Sequence, residues 1–152
     1  MRDALRSDLV RAFHGAPWHG PALDDALDGL TAEVATARPV AGAHTIAEIV
    51  AHLAVWADVP RRRIAGEAVE PAPDEDWPAP QPWPEPLVRL DAAHTALIAA
   101  IDRLAEADLA RVVVRGPGAE GAPYTVADML SGVAQHVAYH GGQIALLRKA
   151  IG

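Results

Sequence analysis

The stretch His136-Val137-Ala138-Tyr139-His140-Gly141-Gly142-Gln143-Ile144 carries both the fold and the chemistry of this chain. Its two histidines are four residues apart. On a helix that means about 6 Å of rise and roughly 40° of rotation, so both imidazoles can converge on one point. The helix itself is read from an apolar stripe of 3.6-residue period: Val126, Met129, Leu130, Val133, Val137, Ile144 and Leu147. His140 falls inside that stripe and His136 on its edge. A neutral imidazole among aliphatic side chains keeps a ring nitrogen that costs on the order of 1–3 kcal/mol if it finds no partner. A shared metal ion would satisfy both rings, whereas a solvated pair or a hydrogen-bonded core pair needs no ion. A third inward ligand decides between these readings.

Thr45 with Glu48 three residues later, ahead of an apolar run, is a capping-box start for a second long helix over residues 45–65. Its stripe is Ile46, Ile49, Leu53, Trp56, Pro60 and Ile64, and His52 sits on the stripe's edge as His136 does in the last helix. His52 is the third candidate ligand. Glu48 lies one turn before it, but capping accounts for that carboxylate. Pro60 inside the run predicts a kink or break near residues 56–60.

Leu87, Leu90, His94, Leu97, Ile101 and Leu104 follow a 3-4-3-4-3 spacing, the seam of a helix packed in a bundle over residues 85–104. His94 occupies a core position there. It is open as a fourth ligand, as a donor behind the ligands, or as a core histidine bonded to a backbone carbonyl, the last two preferred. Leu5, Leu9 and Phe13 mark a first amphipathic helix at 2–14, and short helical turns are expected within 22–38. In the Gly/Pro-rich loop between them, Trp18 is read as plugging one end of the core and His19 as solvated. Residues 66–86 hold seven of the thirteen prolines and show no periodicity, so they form a long loop across one end of the helices. Trp77 and Trp83 argue against disorder there and either close the core or wall a substrate pocket. Residues 111–115 and the turn Gly116-Pro117-Gly118 predict a small hairpin with residues near Tyr124, and Thr125 caps the last helix, over 125–150. Gly141 and Gly142 inside that helix each cost about 1 kcal/mol relative to Ala, which predicts close approach of another helix or a ligand.

At 152 residues the chain has the length of one domain able to bury its own core. A formal charge of −7 and no basic cluster beyond Arg61-Arg62-Arg63 argue against a nucleic-acid partner. There is no cysteine, which excludes disulfides, zinc–thiolate sites and cysteine nucleophiles, so any metal is held by histidines and carboxylates. Neither a signal peptide nor a membrane span is visible, and the expectation is a cytoplasmic protein without membrane contact. The His-Glu-x-x-His protease pattern is absent because position 137 is valine. The fold expected is all-α, a single-domain four-helix bundle, with His52 meeting His136 and His140 between facing helices.

His52 with Trp56, the run Thr45-Ile46-Ala47-Glu48-Ile49-Val50-Ala51-His52-Leu53, and the final His136, Tyr139, His140, Gly142, Gln143 and Ile144 resemble the DinB/YfiT-like family of four-helix-bundle metalloproteins. The likeness covers nearly the whole chain. It implies a divalent metal on His52, His136 and His140, with zinc the default and nickel or iron as alternatives. It also implies a homodimer and a small-molecule substrate: the family includes thiol S-transferases, a thiol-dependent isomerase and metal-dependent hydrolases. Three neutral imidazoles leave an open coordination position, the arrangement of a catalytic site. Tyr139, as a proton donor, and Gln143, as an orienting amide, are the catalytic candidates; no acidic residue is aimed at the site by the sequence pattern. The alternative is a non-catalytic, metal-stabilised binding or stress-response homodimer.

Overall fold

The computed structural model describes residues 1–117 and 119–152. Four long helices carry the fold: α1 (Arg2–His14), α4 (Ile46–Ile64), α6 (Glu85–Asp102) and α7 (Val126–Ile151). Three short ones, α2 (Leu23–Leu27), α3 (Ala32–Thr36) and α5 (Pro73–Asp76), and a 3-10 turn at Glu106–Ala110 lie in the connections. Helix α4 packs on α6 and α7, and α1 closes the ring against α7 and α6. Leu9, Phe13, Ile46, Val50, Leu53, Leu97, Ile101, Val126, Leu130 and Ile144 meet in one core. Isolated transfer values put the gain at about 1.5–3 kcal/mol for each large aliphatic side chain so buried.

The helix starts follow their caps. Thr45 Oγ1 accepts from Glu48 N (3.2 Å) while a Glu48 carboxylate oxygen accepts from Thr45 N (2.7 Å). Thr125 and Asp128 repeat the reciprocal pair at the start of α7, at 3.2 and 2.9 Å. Each box satisfies two backbone donors that the first turn leaves without partners. Residues on both sides of Pro60 stay helical, so α4 does not break there. Pro60 is fully buried.

The loop after α4 is longer than α5 alone would order, and four contacts pin it. Arg63 holds the Val69 carbonyl and the Glu70 carboxylate, Trp83 Nε1 donates to the Leu30 carbonyl, and Arg89 donates to Gln81. Trp77 and Trp83 are half-buried against the core. The hairpin expected near Tyr124 is reduced to a single antiparallel bridge, Val112 with Thr125, flanked by Val113 N→Tyr124 O at 3.0 Å and Val126 N→Arg111 O at 2.9 Å. Its turn includes Gly118, which lies outside the described residues.

Two further expectations fail. Trp18 is fully exposed on its loop and plugs no end of the core; the buried residues nearest it along the chain are Phe13 before the loop and Ala22 and Leu23 after it. Gly141 and Gly142 face open space, and a Cβ built on either meets nothing within 4 Å. No neighbouring helix approaches them closely enough to explain them.

His94, 3 % exposed, is a core histidine away from the last helix's pair, and its partner is a ring rather than a backbone carbonyl. Asp24 accepts from His14 Nδ1, so His14 Nε2 is a lone pair, and it accepts from His94 Nδ1 at 3.0 Å. The His94 ring stacks on Phe13 at 3.7 Å, and its Nε2 has no partner among the described residues. Burial, then the neighbouring His14, push His94 down to about 4.

Two measurements follow from this packing. Gly142→Ala is expected to raise stability by about 1 kcal/mol, since it restores helix propensity where nothing is crowded; urea unfolding reads it, and a loss would reveal a hidden contact. For His94, the unfolded chain takes up a proton near pH 6.5 and the folded chain only near 4. Stability is therefore full above pH 6.5 and falls as the pH drops toward 4. His94→Leu should flatten that slope in urea titrations of the metal-free protein; an unchanged slope would remove His94 as its source.

Candidate metal centre

His52 comes from the middle of α4, and His136 and His140 from successive turns of α7. The capped starts of the two helices fix their register, and the helix crossing brings the three rings together. The His136 Nε2 lies 3.1 Å from His52 Nε2 and 2.9 Å from His140 Nε2. All three nitrogens lie within 4.8 Å of one another.

The outer nitrogens decide the protonation. His52 Nδ1 faces the Asp76 carbonyl at 2.9 Å and the Asp76 carboxylate at 3.1 Å. Both are acceptors, so the ring proton sits on Nδ1 and Nε2 presents a lone pair. His140 Nδ1 donates in the same way to Gln143 Oε1 at 2.7 Å, and its Nε2 is also a lone pair. His136 Nε2 stands between the two, and one proton on it could serve only one of them. A cation serves all three. Burial, then the imidazoles of His140 and His52, push His136 down to about 4, and burial likewise lowers His140. His136 and His140 are thus held neutral, the form in which imidazole binds a metal.

Residues of the proline-rich loop complete this arrangement. Besides bonding His52, the Asp76 carboxylate accepts from Trp56 Nε1 at 2.5 Å. Trp77 lies flat between two imidazoles, 4.0 Å from His52 and 3.6 Å from His44, each at 6°. The loop therefore fixes the orientation of His52 through a carbonyl, a carboxylate and a stacked indole.

Two cavities flank the triad. One of about 420 Å3 reaches His136, the partly exposed member, and is lined by Trp56, Pro60, Tyr124, Met129 and Val133. The other, about 530 Å3, lies on the His140 side between Val40, Trp77, Tyr139 and Leu146. The expected pocket wall of residues 66–86 thus contributes Trp77 to the second cavity, while the first is walled by α4, α7 and Tyr124.

Of the sequence candidates, His52, His136 and His140 are brought together. Gln143 bonds His140, and Tyr139 is 64 % exposed with its ring edge toward His140 at 5.0 Å. Glu48 stays with its cap and Arg38, His19 is exposed, and His94 belongs to the separate cluster with His14. Asp76 is the acidic residue that the helical pattern did not reveal. Its only sequence signal is its place beside Trp77 in a loop rich in proline.

A family model described as the DinB superfamily matches residues 18–144. The chain belongs to the DinB superfamily. That span takes in His52, His136 and His140 and all of the all-α bundle except α1 and the end of α7. No curated protein matches the chain. Among the described residues, no helix of this DinB-superfamily bundle is long and apolar enough to cross a membrane.

Asp76→Ala removes the carboxylate behind His52 while leaving the backbone carbonyl. Divalent-metal affinity should fall about tenfold, the lower end for loss of a partner behind a metal-binding histidine. Competition against a chromophoric chelator reads this, and unchanged affinity would show that the carbonyl alone orients the ring.

Proposed function

We propose that this protein is a divalent-metal-dependent enzyme, a transferase or hydrolase acting on a small molecule, thiol-conjugated substrates included. The observation that carries the reading is the convergence of three Nε2 atoms, two of them fixed as lone pairs by acceptors on Nδ1. His52, His136 and His140 would hold the ion; zinc is the first expectation, then nickel or iron. A divalent ion on three imidazoles supplies Lewis acidity, which lowers the pKa of a water or thiol in its open position.

The chain's own residues supply the rest. Asp76 and Gln143 hold the ring tautomers, and Trp77 keeps His52 from turning. Trp56, Met129 and Val133 give the cavity at His136 apolar walls that exclude water around a bound molecule. Tyr139, in reach of His140 on the other side, is the proton donor proposed for a substrate bound there. We place the reaction in the cytoplasm.

A second reading, a metal-stabilised binding protein working as a homodimer, is favoured by one observation. Tyr139 and Leu146 lie two turns apart on α7, both about two-thirds exposed, with the exposed Val40 in the same groove. An apolar surface of this kind suits a second copy of the chain.

Plasma mass spectrometry on untagged protein should find near one equivalent of divalent metal, and little in His136→Ala. The enzyme reading further expects His136→Ala to lose thiol-transfer or hydrolase activity while keeping its helical circular dichroism. Loss of thermal stability in His136→Ala, with a parent that is inactive even with metal bound, would favour the binding protein. A parent that takes up no zinc, nickel or iron would overturn both.

A further inference from the structure

The cavity at His136 has a polar end that the histidine triad does not use. Arg63 is 2 % exposed, and its Nε and Nη2 donate to the Val69 carbonyl at 3.1 and 2.9 Å. Nη2 also donates to the Glu70 carboxylate at 2.6 Å, and Nη1 donates to the Tyr124 phenol oxygen at 2.7 Å. A guanidinium has no acceptor. In the last contact the phenol oxygen must accept, so the proton of Tyr124 cannot be directed back to Arg63. No acceptor for it exists among the described residues, and Tyr124 lines the same cavity as His136.

We propose that Tyr124 is a substrate-binding residue whose O–H donates to an uncharged acceptor, a carbonyl oxygen, on a largely apolar small molecule lying along Trp56, Met129 and Val133. This rests on the reading that the reacting group of that molecule is placed at His136. The acceptor is uncharged because the walls it lies along are apolar and Glu70 already neutralises Arg63 within hydrogen-bonding distance; the other guanidinium nearby, Arg115, lies over the Tyr124 ring, 5.2 Å from its centroid, and does not line the cavity. The acid on the cavity, Asp128, has its carboxylate occupied by Thr125 N and Oγ1 at 2.9 and 2.7 Å. A carboxylate ligand would be desolvated against apolar walls, with no lining side chain left as an unpaired cation at the Tyr124 end. A carbonyl loses far less hydration, and the Tyr124 O–H, without a protein acceptor among the described residues, can exchange water for it. The polar end thus selects for charge state as well as for shape.

The test uses three aryl probes of similar size on the metal-free protein, since an ion at His136 would itself bind a carboxylate: acetophenone with a neutral carbonyl, benzoate with a carboxylate, and ethylbenzene with no acceptor. Binding is read by NMR titration of the Trp56 indole N–H. Acetophenone should shift that resonance and bind at least tenfold more tightly than benzoate. Tyr124→Phe should weaken acetophenone about tenfold, the effect of one lost hydrogen bond, and leave ethylbenzene unchanged. No shift with acetophenone, tighter binding of benzoate, or an equal loss for acetophenone and ethylbenzene in the variant would overturn the proposal. The comparison of probes on the parent protein stands even if the variant folds poorly. Failure of the metal reading shows separately, as absent metal by mass spectrometry. The titration, run without metal, tests the Tyr124 end in either case.

Discussion

The donation of a ring proton outward, from His52 Nδ1 to the Asp76 carbonyl and from His140 Nδ1 to Gln143, is the constraint on which the candidate centre depends. An imidazole has one proton to place when neutral, and an acceptor at one nitrogen forces a lone pair at the other. Two such lone pairs face the Nε2 of His136 at 3.1 and 2.9 Å. Burial also suppresses the protonated forms of His136 and His140, so the arrangement is short of positive charge at its centre. The bundle supplies the frame, since moving α4 against α7 by one residue would turn His52 by about 100° away from the other two rings.

Helix starts and loop anchors hold that register from opposite ends. The capping boxes at Thr45 and Thr125 begin α4 and α7. Near the end of α4, buried Arg63 gathers the Val69 carbonyl, the Glu70 carboxylate and the Tyr124 hydroxyl around one guanidinium. Breaking one arm of such a cluster leaves a buried charge short of partners, which costs more than the bond itself was worth. Arg63 therefore ties the proline-rich loop and the segment before α7 to the same helix that carries His52. The loop's delivery of Asp76 and Trp77 to the ring is a consequence of that anchoring.

Much of this was legible in the sequence, and the division follows the range of the interactions. The four long helices, the capping boxes and the inward histidines are local patterns, set by spacing within a few residues. The partners of those histidines are not local. Asp76 is 24 residues from His52 and Tyr124 is 61 from Arg63, and no periodicity reports a contact at such separations. Trp18 shows the opposite failure: hydrophobicity alone places a large aromatic of a Gly/Pro loop in the core, yet its side chain is fully exposed while Phe13 and Leu23 on either side of the loop are buried. The propensity cost of Gly141 and Gly142 suggests close approach, but no neighbouring helix comes near them.

The second histidine cluster of the bundle shows why residue type and burial are insufficient to mark a metal site. In both clusters an acceptor on Nδ1 fixes a ring: Asp24 for His14, the Asp76 carbonyl for His52. His14 and His94 then line up head to tail, Nδ1–H of one to Nε2 of the other, so each proton meets one lone pair and only the terminal Nε2 of His94 is left over. A row of this kind needs no cation until its end. The rings of His52, His136 and His140 instead turn the same nitrogen toward one another, and no distribution of single protons pairs all three. What separates a hydrogen-bonded relay from a candidate chelate in this fold is thus the direction in which the Nε2 atoms point. That direction is set by acceptors on a loop and on the next helical turn, which histidine spacing alone does not report.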